Sequence, residues 1–380
     1  MSPQAPQLCA IANGSRAARI CIGSDNPDNL YENAVLDGRR EYVVHGVRGT
    51  VAYLGLGTQS GAYGAKGGLT TVDYAEAETL RYDDAARTRF TLVLSATRPA
   101  DATNWLRLMQ DPPEAMFIVR QTFGRRTEEA TASLSIALRG DGGGSGGGTP
   151  LTPKRLDDGL QSASVLVAGA SAMFAKWAYG FQAHANALPL FDQQTSDRAG
   201  GDPNIRYYHS YWRLPAGMAL RILVRPPPCR CWNFQLNSAS RRTSNLHRHT
   251  TPRRVTPPPP RRATLPCHAT LRLAAPRSPP LWAHTTVHTS YADHWMESLD
   301  YRHFTIHTNG SLARPDAADP ARFTLIVSHA DPNADGTFRG NWIQTVGHEQ
   351  GTMCFRWVAP RVTDAELPHP MVEVLCTEQL

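Results

Sequence analysis

The sequence predicts a mainly β protein, with two β-sandwich or jelly-roll-like parts joined by a short helical connector and a disordered Pro/Arg-rich insertion. Three observations predict this class. Short apolar or alternating runs, rich in β-branched and aromatic residues, recur on both sides of one helical segment. Turn residues separate these runs without intervening helices, which is typical of sandwiches and barrels. The stretch from about residue 238 to 293 follows neither pattern.

The first β domain is predicted over residues 24–140, after a flexible N-terminus at 1–23. Its strands are short and separated by turn signals such as Asp37-Gly38 and Pro112-Pro113. The predicted strands are Glu41–Val47, Thr50–Leu56, Arg89–Ser95, Met116–Phe123 and Thr131–Leu138.

A glycine-rich linker at 141–150 leads into the helical connector, predicted at 151–186. Thr152 is suited to cap this helix and Pro153 to begin it, and a break is expected near Gly169. A second, jelly-roll-like domain follows at 187–237 and 294–360, with a tail at 361–380. Its predicted strands are Tyr207–Leu214, Ala219–Arg225, Cys231–Leu236, Tyr301–Thr308, Arg322–His329 and Thr352–Val358.

The insertion accounts for the basic character of the chain. Residues 238–290 hold nine arginines, nine prolines and no acid, and such a composition predicts disorder. The whole chain has 39 − 33 = +6 charges, so removing +9 leaves −3 for the rest. We therefore expect no nucleic-acid partner for the folded domains.

The insertion separates two strand-like segments of one predicted domain, and two interpretations stay open. It is either a functional basic loop or a translated retained intron. A splice donor inside the codon of Ser238 and an acceptor inside the codon of Asp293 would join as one asparagine. The product would read Gln-Leu-Asn-Asn-His-Trp across the junction.

Several classes of function are not supported by the motifs. The seven cysteines are scattered and lack a Cys-x-x-Cys pair, which argues against a disulfide framework or a zinc ribbon. Gly55-x-Gly57 is not followed by a helical pattern, Ser145 lies among glycines, and His348-Glu349 lacks the second histidine of a zinc protease. With no apolar run long enough to cross a membrane and no signal peptide, we expect a cytoplasmic protein with no cofactor, metal or membrane partner. The oligomeric state stays open.

Several segments in a fixed order point to one family. They include WNFQLN, HWMESLDYR, HADPN and GNWIQTVGHEQGTMCFRWV, which begin at Trp232, His294, His329 and Gly340. Together they resemble the C-terminal domain of the family called domain of unknown function 1214, and the N-terminal half resembles the β region usually found before it. The resemblance implies a jelly-roll-like C-terminal domain and no settled activity. Gln344 departs from the family pattern, which tends to have aspartate there.

Polar and aromatic residues within these segments form the candidate site. On the strand at 231–236, Asn233 and Gln235 alternate with Trp232 and Phe234, so both amides point to one face. Such residues suit a pocket for a small polar or carbohydrate-like molecule. The candidate ligand-binding residues are Trp232, Asn233, Gln235, Trp295, Asp300, Arg302, Asn341, Trp342 and Arg356.

Catalysis is the alternative function for this site. His348 or His329 would act as the base with Asp331 or Glu297, as in a hydrolase or lyase of a small metabolite. Two further interpretations stay open. The cluster is a buried polar network that only stabilises the sandwich, or the chain is a mis-spliced, non-functional isoform.

Overall fold

The structure is a computed structural model that describes residues 3–10, 22–61, 68–140, 150–238, 295–333 and 340–380. The predicted insertion, from its second residue onward, lies outside the described residues, and so does the glycine-rich linker up to residue 149. Within the described residues the fold is mainly β, with two β domains joined by a helix, as the sequence predicts.

The N-terminal domain contains two sheets that pack face to face. Its strands are β1 (Cys9–Ala10), β2 (Asn29–Asp37), β3 (Tyr42–Val47), β4 (Tyr53–Gly61), β5 (Leu69–Glu76), β6 (Arg89–Ser95), β7 (Asn104–Arg107), β8 (Glu114–Thr122) and β9 (Ser133–Leu138). The inner sheet has the order β1-β2-β8-β4-β5, and the outer sheet has the order β7-β6-β3-β9. Apolar residues of both sheets, such as Leu56 and Phe117 of the inner and Val44 and Leu92 of the outer, form one core.

The connector is α1 (Pro153–Phe181), and α2 (Gln193–Arg198) follows it. As predicted, Thr152 caps α1 by accepting a hydrogen bond from the backbone nitrogen of Arg155, and Pro153 lies in its first turn. The expected break near Gly169 is wrong, because α1 is continuous through that residue. Only its last turns pack on the C-terminal domain, through Phe174, Trp177 and Phe181.

The C-terminal domain repeats the two-sheet design. Its strands are β10 (Ile205–Arg213), β11 (Met218–Val224), β12 (Cys231–Leu236), β13 (His307–Asn309), β14 (Phe323–Ser328), β15 (Asn341–Gln344), β16 (Gln350–Val358) and β17 (Met371–Cys376). The inner sheet has the order β10-β16-β12-β13, and the outer sheet has the order β15-β14-β11-β17. Aromatic residues such as Trp212, Phe234 and Trp357 fill the core between them.

Several segments differ from the sequence prediction for this domain, and they include Asn341–Gln344, which was not predicted as a strand and pairs with β14 as β15. Of the strand expected at Tyr301–Thr308, only the end is extended, as β13, because residues 301–304 form turns. Met371–Cys376, assigned to a tail, instead pairs with β11 as an edge strand of the outer sheet.

The two inner sheets pack against each other through the faces that point away from the domain cores. Tyr53 of β4 packs with Ile205 of β10 and Val358 of β16 in a small cluster between the domains. Many other side chains of these two faces are polar and nevertheless buried. Buried polar groups require hydrogen-bond partners. The layer between the two domains, where many such groups lie together, is therefore the candidate functional region.

Candidate functional site

Cross-strand pairing places polar residues in rows on the inner C-terminal sheet. Arg356 of β16 lies between Tyr207 of β10 and Asn233 of β12. In the next row on the same face, Gln235 lies between Cys354 and His307. These rows face the N-terminal domain, because the alternating residues of the same strands fill the C-terminal core.

Arg356 is the centre of this arrangement and is 4% exposed. Its Nη1 donates to the amide oxygens of Gln235 at 2.8 Å and Asn233 at 3.2 Å. Its Nη2 donates to the backbone oxygen of Ser24 at 2.9 Å. All three acceptors are neutral, so these hydrogen bonds orient the guanidinium without neutralising its charge.

A second buried arginine extends from the N-terminal domain. Arg120 of β8 is 5% exposed, and its Nη2 donates to the backbone oxygen of Gly200 at 2.6 Å. The phenols of Tyr31 and Tyr207 lie within electrostatic range of both Arg120 and Arg356. The two guanidinium groups, one from each domain, therefore lie near the same two tyrosines.

A carboxylate lies near Arg120 but is occupied by other donors. Oδ2 of Asp202 accepts from the hydroxyls of Tyr74 at 2.8 Å and Tyr53 at 3.0 Å, and Oδ1 accepts from the backbone nitrogen of Asn204. Burial raises the pKa of Asp202 and of both tyrosines above their usual values. Gly55 makes room for this group, because a Cβ there would lie 1.7 Å from the Tyr74 hydroxyl.

Aromatic rings close one end of the site. His209 stacks between Tyr207 and Phe181, with ring centroids 5.5 Å away on each side, and Phe191 meets its edge at 5.1 Å. Burial lowers the pKa of His209 to about 3, so this imidazole is neutral near pH 7. Burial also raises the pKa of Tyr207, so its phenol keeps its proton there.

Two guanidinium or amide nitrogens of this layer, which are donors in every protonation state of the site, have no partner in the described part of the chain. They are Nη1 of Arg120 and Nδ2 of Asn233, and both atoms are buried. A buried donor without an acceptor costs about 1–3 kcal/mol, so such groups are rare unless water or a ligand satisfies them.

The structure brings together three of the predicted ligand-binding residues, Asn233, Gln235 and Arg356, in this interdomain layer. Trp232 instead faces the C-terminal core, where it stacks on Phe355.

The remaining predicted binding residues lie elsewhere. Trp295 accepts a hydrogen bond through its backbone oxygen from Gly23. Asp300 and Arg302 form a partly exposed ion pair with each other. Asn341 and Trp342 line an open groove of about 570 Å³ at the edge of the C-terminal domain. Both ends of the Asn341 amide are used, because it bonds the backbone of Arg314 and Thr324.

Two of the predicted catalytic residues, His329 and His348, both contact Thr345, the first through its side chain and the second through its backbone nitrogen. His329 bonds the Thr345 hydroxyl through Nδ1 and the Leu214 backbone oxygen through Nε2, so both ring nitrogens hold loops together. Asp331 caps its own turn by accepting from Asn333.

Two more of these residues lie near chain turns. His348 lies in the turn before β16, and burial lowers its pKa. Glu297 accepts a hydrogen bond through its backbone oxygen from Ser238.

A histidine that does contact a carboxylate is His307, which no motif singled out. Its Nε2 lies 3.2 Å from Oδ1 of Asp28, across the domain boundary. Within the described residues, Asp28 Oδ2 and His307 Nδ1 are buried without a hydrogen-bond partner. His307 also lines the groove that contains Trp342.

Arg120, Asp202 and Tyr207 were also missed, although the sequence contains a signal for each. Arg120 is the one charged residue of a mostly apolar strand, Met116–Phe123. Asp202 and Tyr207 lie in the segment GGDPNIRYYHSYWRL, which is rich in polar and aromatic residues like the candidate site.

Comparison with known proteins gives relatives of this fold. No family model matches the chain, and no curated protein matches it. The crystal structure of an uncharacterised protein from Burkholderia cenocepacia is 35% identical, covers 100% of this chain and 84% of its own, and superposes with a TM-score of 0.74. The chain therefore belongs to the same family as this Burkholderia protein.

The Burkholderia relative confirms the mainly β fold class. A structure from Vibrio parahaemolyticus is 13% identical, with a TM-score of 0.45 and coverage of 93% of this chain and 90% of its own. In the described residues, none of the helices has the length and hydrophobicity required to cross a bilayer.

Proposed function

We propose that this protein binds a small anionic metabolite between its two β domains, with Arg120, Tyr207, Asn233 and Arg356 as the principal contacts. The observation that supports this most is the pair of buried guanidinium groups that share one neighbourhood and bond only neutral oxygens. Buried charges in proteins are usually paired with an opposite charge.

Asp202 lies within electrostatic range of Arg120 and Asp28 within that of Arg356, but the hydrogen bonds of both arginines in the described residues go to neutral oxygens. Asp202 accepts from two tyrosines and a backbone amide, and Asp25 accepts from the backbone and hydroxyl of Ser298. A ligand carboxylate or phosphate would give the arginines charge-assisted hydrogen bonds, which are about twice as strong as neutral ones.

The donors of the site favour an acceptor-rich ligand. Nη1 of Arg120 and Nδ2 of Asn233 each have a hydrogen to donate, and the protonated phenol of Tyr207 provides another. A carboxylate that bears a neighbouring hydroxyl or carbonyl would satisfy such a set. This narrows the expectation of a polar or carbohydrate-like ligand to an anionic one, such as a sugar acid or a hydroxy acid.

A thermal-shift and calorimetric panel tests the proposal. It compares carboxylates and phosphates with neutral sugars of the same size. An anionic ligand at about 100 times its dissociation constant would stabilise the fold by about 2.7 kcal/mol. Asn233→Leu and Arg120→Met should abolish this shift, and Arg39→Met, at a side chain 63% exposed, should retain it.

Either of two results would contradict the proposal. One is a panel in which no anion raises the melting temperature of the unaltered protein. The other is a shift that persists in both Asn233→Leu and Arg120→Met, since the anion would then bind elsewhere.

Acid–base catalysis is a second candidate, favoured by the contact between His307 and Asp28. A histidine oriented by a carboxylate is a common general base, and His307 borders a groove open to solvent. The reaction would be the hydrolysis or elimination of a small metabolite. Turnover that is lost in His307→Gln but retained in His329→Gln would support it. Equal loss in both variants would contradict it.

The resemblance to the family called domain of unknown function 1214 is also part of the proposal. Its support is the ordered set of motifs, from which Asn233, Gln235 and Arg356 come together in one network. A cytoplasmic location remains our prediction. We also retain the proposal that residues 238–293 derive from a retained intron, so that this chain would be a mis-spliced isoform of the functional protein.

A further inference from the structure

One side of the C-terminal sandwich is open to solvent between two edge strands. β13 is the last strand of the inner sheet and β15 the last strand of the outer sheet. The groove between them has a volume of about 570 Å³, which lies in the usual range for sites that bind small molecules. We call it the edge groove, and its lining includes Thr305, His307, Thr308, Leu312, Arg314 and Trp342.

Trp342 provides a fixed aromatic surface in the edge groove. Its indole nitrogen donates to the backbone oxygen of Ser328 at 3.3 Å, which holds the ring in place. The residue is only half-buried, so part of the ring is free to contact a ligand. Leu312, which is 49% exposed, adds apolar surface to the same groove. Apolar and aromatic surface of this kind packs against the C–H groups on the face of a sugar ring.

Arg314 provides a positive charge beside this aromatic surface. Asn341, the residue before Trp342, bonds the backbone nitrogen of Arg314 at 2.7 Å and its backbone oxygen at 2.9 Å. The Arg314 side chain is exposed, and no ion pair holds it within the described residues. Arg322, which follows it in the chain, is instead paired with Asp316. The Arg314 guanidinium is therefore available to a carboxylate, which it can bind through two parallel hydrogen bonds.

The rest of the lining favours a ligand that carries both hydroxyl groups and negative charge. Thr305 and Thr308 contribute hydroxyls, which donate and accept hydrogen bonds as sugar hydroxyls do. His307 contributes an imidazole whose Nε2 lies 3.2 Å from Oδ1 of Asp28. Among the described residues that line the groove there is no Asp or Glu, so nothing in that lining repels an anion.

We propose that the edge groove binds one unit of an acidic oligosaccharide, with a uronic acid ring on Trp342 and its carboxylate at Arg314. A groove that is open to solvent can hold part of a longer chain, whereas the buried interdomain layer can enclose only a small molecule. The inference goes beyond the anion site of that layer, because it uses neither Arg120 nor Arg356. It shares His307 with the second candidate function, but binding is measured without turnover.

Calorimetry and tryptophan fluorescence on the full-length chain test the proposal with two probes of equal length. Tetragalacturonate should bind and change the tryptophan emission, and the neutral tetramer of glucose should bind at least about tenfold more weakly, because it lacks carboxylates. Arg314→Met should remove this preference. Arg361→Met is the matched control, since Arg361 is another exposed arginine of the C-terminal domain and does not line the groove.

Graded substitutions separate stacking from folding. Trp342→Ala should weaken tetragalacturonate binding by about tenfold or more, whereas Trp342→Phe keeps an aromatic face and should stay within about threefold of the unaltered protein. Arg120→Met should leave tetragalacturonate binding unchanged, because Arg120 belongs to the interdomain site. This variant therefore distinguishes a failure of the present inference from a failure of the proposed anion site.

Four results would overturn the proposal. They are an unaltered protein that does not bind tetragalacturonate, equal affinity for the acidic and neutral tetramers, a loss in Trp342→Phe as large as that in Trp342→Ala, and a loss in Arg120→Met as large as that in Arg314→Met. In the second case Arg314 does not select charge, and in the third the aromatic face does not contact the sugar. In the last case the acidic sugar binds in the interdomain layer.

Discussion

Arg356 of β16 donates a hydrogen bond from Nη2 to the backbone oxygen of Ser24, 2.9 Å away, and this bond joins the C-terminal domain to the segment that enters the N-terminal domain. The same segment is held by Gln235, which donates to the backbone oxygen of Asp25 at 3.0 Å. The predicted polar motif of the C-terminal domain thus also provides one of the contacts that connect the two domains. Its residues have a structural role in addition to any role with a ligand.

The first prediction concerns Arg356. Replacing it with methionine removes the donor for Ser24, Asn233 and Gln235 and leaves buried acceptors unpaired. We expect the free energy of unfolding to fall by about 3 kcal/mol, measured by urea denaturation. The control Arg39→Met removes only an exposed ion pair with Asp37, so it should change the free energy of unfolding by no more than about 1 kcal/mol. Equal effects of the two substitutions would contradict a central role for Arg356.

The second prediction compares two glycines. A Cβ at Gly55 would lie 1.7 Å from the Tyr74 hydroxyl, so Gly55→Ala must displace Tyr74 from Asp202. We expect a loss of about 1–3 kcal/mol. Gly159 lies in the exposed part of α1 with nothing within 4 Å, so Gly159→Ala should stabilise the protein by about 0.5–1 kcal/mol. Thermal unfolding of both variants shows whether the two changes in stability have opposite signs. A Gly55→Ala protein as stable as the unaltered protein would mean that the added methyl group does not displace Tyr74.

The third prediction concerns stability in acid. The folded protein holds the pKa of His209 at about 3, below the ordinary value of 6.5, because the imidazole is buried. Between these values the unfolded chain binds a proton that the folded chain does not. Stability must therefore fall as the pH falls through this window, by up to about 1.4 kcal/mol per pH unit from this group.

Substitution isolates the contribution of His209. His209→Phe suits the surrounding Phe181, Phe191 and Tyr207, so it should retain stability at pH 7 and reduce the slope of stability against pH between 6.5 and 3. The measurement is a set of denaturant titrations across that range, with His45→Gln at an exposed histidine as the control. An unchanged slope in His209→Phe would show that other groups govern the acid response.

Local patterns in the sequence predict much of this fold, and the reasons for the misses are physical. Arg89–Ser95 and Cys231–Leu236 are strands at their predicted bounds, since each is rich in β-branched or aromatic residues. β2 and β5 were missed, because Asn29–Asp37 and Leu69–Glu76 hold polar residues that contribute to the interdomain layer. Most residues of β5 and about half of those of β2 are only partly buried, so neither strand shows the apolar and polar alternation of a strand with one solvent-facing side.

The site shows the same limit. Strand alternation correctly placed Asn233 and Gln235 on one face, because period two is a local property. The contact between Asp28 and His307 joins residues that are far apart in sequence and in different domains, so no spacing could indicate it. Arg120 is part of the site because the two inner sheets pack against each other, and no local pattern in the sequence predicts that packing.

The last prediction concerns the proposed intron. The backbone nitrogen of Ser238 donates to the backbone oxygen of Glu297 at 2.8 Å, and Asn237 pairs with Ser298 as an antiparallel bridge. The last described residue before the insertion, Ser238, therefore lies beside Glu297, which follows it. A single asparagine in place of residues 238–293 should close this gap as a short loop between Asn237 and His294. Shortening a loop by this length lowers the closure entropy, which favours the folded state by about 2 kcal/mol.

We therefore expect the shortened protein to unfold at an equal or higher urea concentration than the full-length chain and to keep the same β-rich circular dichroism spectrum. Removing six residues of the core strand Cys231–Leu236 instead is the control, and it should abolish cooperative unfolding. A shortened protein that is less stable than the full-length chain would mean that residues 238–293 contribute contacts to the fold, and the intron proposal would then be wrong.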